Sequence, residues 1–438
     1  MKILLIKPKW FIKGGVYTFV NNVRFTPLHL GIIAALCDAD GKGHEVKVVD
    51  GDWDEIPYNE KFDLVGITVT TFTSQQAYGI AGKFRDAGAK VVFGGVHPSL
   101  FPAECLRYAD AVVVGEAEYV WKDILKDIGE GTLKKVYRSD KIVDMDDVPF
   151  PKRELLNAQS WFACVQATRG CPNTCTFCDR SVFGNRCRSY SPAYAVRLIK
   201  DLRENHGVKE ILIEDDTFVI VKDRIREFCD LLISESVDVT WSCLGRADRV
   251  DPDLLRLMKK AGCWHISFGI ESGDPEILRG VNKNLDLKQI QSAVGWSHQA
   301  GLRTKGFFMV GFPGETKKSL QATHDFALSL PLDDISIMQL SPFPGSELYG
   351  AASQYGEFER DWRRMNALNT VFVPTGLTKN DLDDARSRLL RAFFFRPAIA
   401  WRTFLLLATQ PRAYALLFRA LTSLLRFTST RRSRRRDV

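Results

Sequence analysis

Apolar residues along this chain gather into short runs, separated by longer stretches with helical spacing, and the alternation repeats from residue 3 to residue 340. Ile3-Leu4-Leu5-Ile6 is the first run, and 45–49, 64–69, 90–94 and 111–114 follow. Each is too short for a helix, and the first, with no polar face, predicts a strand covered on both sides of a parallel sheet. The stretches 27–38 and 75–87 predict helices between them. Strands and helices alternating through short connections predict a doubly wound parallel sheet, a Rossmann-like α/β domain, for about residues 1–140. A run rich in Asp and Pro, 144–151, marks a linker over about 141–160. The alternation then resumes, with strands expected at 163–168, 210–214, 239–244, 265–270, 303–310 and 335–340. The helices expected between them are 192–204, 224–234, 252–261, 287–300 and 317–330. Repeated strand–helix units predict a partial (β/α)6 TIM barrel for about 161–345, with chemistry at the strand carboxyl ends. The remainder, 346–438, predicts a helical region with helices at 377–394, 398–407 and 413–427.

The first barrel strand leads into Cys171-Pro172-Asn173-Thr174-Cys175-Thr176-Phe177-Cys178. A C-x3-C-x2-C spacing on one loop lets three sulfurs converge on one inorganic cluster, and thiolates suit iron–sulfur centres. Three thiols leave one iron of a [4Fe–4S] cube open to a substrate or cofactor. The motif resembles the cluster loop of the radical S-adenosylmethionine (SAM) enzymes. That resemblance implies that Cys171, Cys175 and Cys178 hold the cluster and that the amino and carboxylate groups of SAM chelate the open iron. It implies reductive cleavage of SAM to a 5′-deoxyadenosyl radical, an electron donor such as flavodoxin or ferredoxin, and Phe177 near the adenine.

The strand ends extend the resemblance through all six units. Glu214 and Asp215 follow the second strand and are the candidates to meet the SAM ammonium, since an amine cation needs an anionic partner. Many family members carry Gly-Gly-Glu at that place; this chain has acids instead, beside Asp216 and Thr217, which also suit a helix cap. Arg246 follows the third strand as candidate partner of the SAM carboxylate. Glu271 and Ser272, in Gly-Ile-Glu-Ser-Gly, are expected at the ribose and amino acid. Gly311, in Gly-Phe-Pro-Gly-Glu-Thr, is expected beside the adenine, in what is also a Pro-Gly turn.

In the first domain, Gly-Gly-x-His-Pro after the fourth strand and Gly-Glu-x-Glu after the fifth resemble the cobalamin-binding domain that precedes many radical SAM barrels. The residues implied are Thr70, Gly94, Gly95, His97, Gly115 and Glu116. The Asp-x-His-x-x-Gly motif that ligates cobalt from below does not occur in this sequence, so the lower cobalt face is expected to be free or water-bound. The resemblance is to the branch with tetrapyrrole-modifying and hopanoid-associated proteins. Its implied reaction is cobalamin-dependent C-methylation of an unactivated carbon. Two other readings stay open: a radical oxidation, dehydration or cyclisation without methyl transfer, and a non-catalytic, zinc-stabilised, membrane-associated scaffold.

Composition adds little to this. Charged residues make up 26% and apolar residues 45%, an ordinary globular balance. Ten cysteines in 438 residues do not make a disulfide scaffold, and the short, quickly charged start is no signal peptide. A cytoplasmic location follows. Residues 431–437 carry four of the seven net positive charges, leaving no basic surface that argues for nucleic acid. The C-terminal apolar stretches are interrupted by arginines and too short to span a bilayer. They suit either a helical cap on the barrel or peripheral contact with a membrane, and in the second case a lipid or tetrapyrrole-like small-molecule substrate.

Overall fold

A computed structural model describes residues 1–10, 26–38, 41–156, 162–397 and 399. The first sheet is built from β1 (Lys2–Lys7), β2 (Glu45–Asp50), β3 (Leu64–Thr68), β4 (Lys90–Gly94), β5 (Ala111–Val114) and β6 (Val136–Arg138). Its order is β2-β1-β3-β4-β5-β6, and every pairing is parallel. Helices α1 (Leu28–Asp38), α2 (Ser74–Asp86), the short α3 (Val96–Leu100) and α4 (Pro102–Cys105), and α5 (Trp121–Glu130) connect the strands. Ile3 to Ile6 and Ala111 to Val114 are buried throughout, as strands covered on both faces must be. One face packs on Tyr78, Ile80 and Phe84 of α2, the other on Leu30 and Ala34 of α1 and Trp121 and Ile124 of α5. The sixth strand was not expected from the sequence. It is three residues long and buries only Tyr137, so it carries no apolar run to read.

The second sheet has the order β14-β13-β12-β11-β10-β7, again parallel throughout. Its strands are β7 (Phe162–Val165), β10 (Glu210–Ile213), β11 (Thr240–Gly245), β12 (Cys263–Glu271), β13 (Arg303–Val310) and β14 (Asp334–Gln339). Between β7 and β10 sits an antiparallel pair, β8 (Thr168–Arg169) with β9 (Arg188–Ser189). Helices α6 (Pro192–His206), α7 (Lys222–Ser234), α8 (Pro252–Lys260), α9 (Pro275–Gly280), α10 (Leu287–Gln299) and α11 (Lys317–Ser329) cover the outer face. Side chains alternate along β13. Thr304, Gly306, Phe308 and Val310 are buried against the helices, while Lys305, Phe307 and Met309 keep partial exposure on the inner face of the half-barrel. Sequential strand order with a helix after each strand is the expected half-barrel.

The chain continues through α12 (Glu347–Tyr355), a β15 (Gly356–Phe358)–β16 (Phe372–Pro374) hairpin and α13 (Lys379–Phe394). Thr378 caps α13 with a reciprocal bond to Asp381. The expected helices at 398–407 and 413–427, the basic tail, Gly14, Gly15 and Trp161 lie outside the described residues, apart from the buried Ile399. Among the described residues no helix is long and apolar enough to cross a membrane.

Several loops are glycine-dependent through packing. A Cβ on Gly273 would stand 2.5 Å from Phe326 Cβ and 2.8 Å from the Ala322 carbonyl of α11. Gly273→Ala is therefore expected to lower stability by about 1–3 kcal/mol, measured as a shift in the chemical denaturation midpoint.

Candidate functional site

The cysteine loop hangs from the β8–β9 stem. Gly170, with φ +79, opens it, and a Cβ there would collide with the Arg186 carbonyl. Only glycine lets the two ends of the loop come so close. Cys171 is half-buried, Cys175 is buried and Cys178 is exposed; all three are free thiols. The Asn173 amide donates to Cys171 Sγ at 3.1 Å, and Thr217 Oγ1 lies 3.9 Å from it. Thr176 N–H bonds the Val281 carbonyl at 3.1 Å, and Leu348 N–H bonds the Thr176 carbonyl at 2.9 Å, so the loop is tied to both α9 and α12. A hydrogen bond from Cys178 pulls the Cys175 thiol down to about 6; Lys283 and Arg246 act the same way against the effect of burial. The donor thiol of Cys178 is pushed up in turn. Among the described residues no three His, Cys, Asp or Glu donors close on one point, as a single ion requires. A multi-iron cluster spreads its thiolates over separate irons. Three free thiols of this kind on one pinned loop fit such a cluster.

The acids and bases around the loop are mostly engaged with protein. Asp215 is 1% exposed and accepts the N–H groups of Ala167 and Thr168, at 2.6 and 2.9 Å. Oδ1 thus shapes the turn from β7 into β8, while the buried Oδ2 has no hydrogen-bond partner among the described residues. Burial lifts its pKa to about 7. Arg246 donates to the Lys283 and Asn284 carbonyls at 2.6 and 3.1 Å and pairs with Asp248 at 2.9 Å. Ser272 is fully buried, with its hydroxyl 3.0 Å from Thr323 Oγ1 and accepting the Asp274 N–H. These three expected SAM contacts thus have structural partners.

Glu214 and Glu271 remain at the inner mouth. Burial raises the Glu214 carboxyl to about 7 beside Cys164. Glu271 sits at a register shift in β12 with a left-handed φ of +70, and Lys283 Nζ holds it at 2.6 Å. A left-handed glutamate is uncommon and carries strain. The same ammonium also acts on the Cys175 thiol, which it lowers. Lys283 was not singled out from sequence. Its turn, Asn282-Lys283-Asn284, has left-handed backbone at both asparagines, and that spacing was the available signal. Phe177 packs edge-on against Phe312, with ring centroids 5.6 Å apart. Gly311 has φ +98, and the Gly311 and Phe312 N–H groups both donate to Glu315 Oε2. Glu315 is 1% exposed, and its Oε1 has no hydrogen-bond partner among the described residues.

At the carboxyl ends of the first sheet, Thr70 is exposed and bonded to Thr73. Among the described residues, a Cβ on Gly94, or on Gly115 with its φ of +84, would meet nothing within 4 Å. Space of that kind over Gly94 fits close approach of a large flat ligand. Gly95, by contrast, packs on Val69 and Thr68. His97 is fully buried, with Nε2 2.9 Å from the Tyr78 hydroxyl and Nδ1 3.4 Å from Thr71 Oγ1, and Trp362 covers its ring at 4.8 Å. Its ring nitrogens are turned to protein. Glu116 departs from expectation as well. Its two oxygens are each 2.8 Å from a guanidinium, Arg169 on one side and Arg188 on the other, because the barrel presents buried cations to it. The loops of β4 and β5 therefore face the cysteine loop, and Leu100 and Asp179 both border Gly345.

Comparison with known proteins agrees with this layout. Residues 165–327 match the radical SAM superfamily, and residues 17–125 match the B12 binding domain. The chain thus carries both domains. It is 29% identical to an uncharacterised methyltransferase of Pyrococcus horikoshii, over 91% of this chain and 94% of that protein. It is 28% identical to bacteriochlorophyllide d C-12(1)-methyltransferase of Chlorobaculum tepidum, over 92% of this chain and 89% of that one. The fold matches the radical SAM methyltransferase TsrM from Kitasatospora setae, solved with tryptophan and a SAM analogue. That match has a TM-score of 0.71 and 16% identity, and covers 91% of this chain and 90% of the other.

Two predictions follow from the buried acids. Lys283→Met leaves Glu271 without its cation and is expected to cost about 3 kcal/mol in thermal unfolding, with Glu271→Gln/Lys283→Met recovering most of it. Burial raises the Glu315 carboxyl from 4.5 to about 7. The folded state then binds the proton more tightly than the unfolded chain, so this group's contribution to stability falls as pH rises from about 4.5 to 7. Glu315→Gln is expected to flatten the pH dependence of the denaturation midpoint in that window.

Proposed function

We propose that this chain, a radical SAM protein with a B12-binding domain ahead of its half-barrel, is a cobalamin-dependent methyltransferase acting on an unactivated carbon. When bound, the cluster and SAM supply a hydrogen-abstracting 5′-deoxyadenosyl radical, and cobalamin supplies the methyl group. The observation that supports this best is the facing of two sets of strand ends. Three free thiols follow the β8–β9 stem at the half-barrel, and the loop after β5 of the first sheet meets that stem through Glu116 and Glu118.

Within that reading, Cys171, Cys175 and Cys178 hold the cluster. Glu214 and the Glu271–Lys283 pair border SAM, with Phe177 and Gly311 on the adenine side. Thr70, Gly94, Gly95 and Gly115 line the cobalamin face. Asp215, Arg246 and Ser272 position these groups through the backbone bonds described above, and His97 buttresses the β4 loop from inside. The protein's share of the work is to orient the reactants and keep water and oxygen away. A one-electron donor of the flavodoxin or ferredoxin kind is required, and a reducing cytoplasm suits free thiols. A tetrapyrrole is the first substrate class to offer, given the bacteriochlorophyllide methyltransferase among the relatives.

Anaerobic reconstitution with iron, sulfide and cobalamin, followed by turnover of methyl-labelled SAM, tests the proposal. Label is expected in the substrate product, together with 5′-deoxyadenosine. Cys175→Ala is expected to abolish both and to reduce bound iron to background. 5′-Deoxyadenosine with an unlabelled product would instead place the chain among radical enzymes that do not transfer methyl.

A further inference from the structure

Arg169 and Arg188 are direct cross-strand partners in the two-residue β8–β9 stem that carries the cysteine loop. Like charges placed opposite one another weaken a strand pair, and this pair has little water to screen it. Arg169 is 4% exposed in its side chain and Arg188 15%. The stem does not supply its own counter-charge. It comes from the other domain, from the loop that follows β5. Glu116 Oε1 takes Arg169 at 2.8 Å and Oε2 takes Arg188 at 2.8 Å, so one carboxylate bridges the two guanidiniums. Glu118 adds a second contact to Arg169 at 2.6 Å. The four charges sum to zero. Arg169 is further fixed by the Gln166 amide oxygen at 3.1 Å and by the Phe183 ring.

We propose that Glu116 and Glu118 are positioning residues which complete the stem of the cysteine loop from the first domain. Cluster-loop order and docking of the B12-binding domain are then one event. Withdrawing the β5 loop leaves two buried guanidiniums facing each other, and the stem at Gly170–Arg186 opens. Docking it closes the stem and sets the spacing between the open glycines of the first sheet and the three thiols. This inference concerns the chain's own salt bridges and stands without the methyl-transfer reading.

The test begins with the full chain free of cofactors. Glu116→Gln is expected to raise amide hydrogen exchange in residues 170–187 at least about tenfold, while β12 and β13 stay protected. Glu116→Gln/Arg188→Gln removes the facing charges along with their bridge and is expected to restore most of the protection. A purely local packing role predicts the opposite, since the double variant loses more contacts than the single one. Glu118→Gln keeps the bridge, is expected to show a smaller effect, and serves if Glu116→Gln folds poorly. Unchanged exchange in 170–187, or no recovery in the double variant, would overturn the proposal.

Discussion

Carboxylates taken out of water must find cations or backbone N–H groups, and the meeting of the two parallel sheets is organised by that requirement. Asp215 takes two N–H groups and thereby bends β7 into β8. Glu315 takes two more and folds the turn after β13. Glu271 takes Lys283, and Glu116 takes two arginines. None of these acids is idle, and each one fixes a loop at a strand carboxyl end. The mouth of the site is held by these pairings, while the apolar layers beneath hold the sheets.

Much of the architecture could be read from the chain alone, because parallel strands buried on both faces leave continuous apolar runs. β4 and β5 lie where those runs place them. The three-residue β6 left no such signature, since it is an edge with one buried side chain. The β15–β16 hairpin is equally short and was not foreseen. The cysteine motif was legible because its spacing is specific and its residues are contiguous.

The partners of the acids were not legible in the same way. Several pairings join residues far apart in sequence, such as Glu116 with Arg169 or Arg246 with the Lys283 carbonyl. Sequence reasoning sees a charged residue at a strand end and assigns it to a ligand, since no partner is adjacent. The fold supplies the partner from another loop. Arg246, Ser272, Asp215 and Glu116 each have such a partner in the protein.

The pinch where Gly170 meets the Arg186 carbonyl turns the segment between them into a closed bight on a fixed neck. A change in its girth is felt inside the bight and not in the sheet. Chain entropy sets little limit on the length of the segment between Cys178 and Arg186, since ring size enters only logarithmically; the contacts of Asp179, Arg180 and Phe183 set it instead. Diversity in what such chains accept at the mouth has an obvious place to accumulate, one that leaves the scaffold undisturbed.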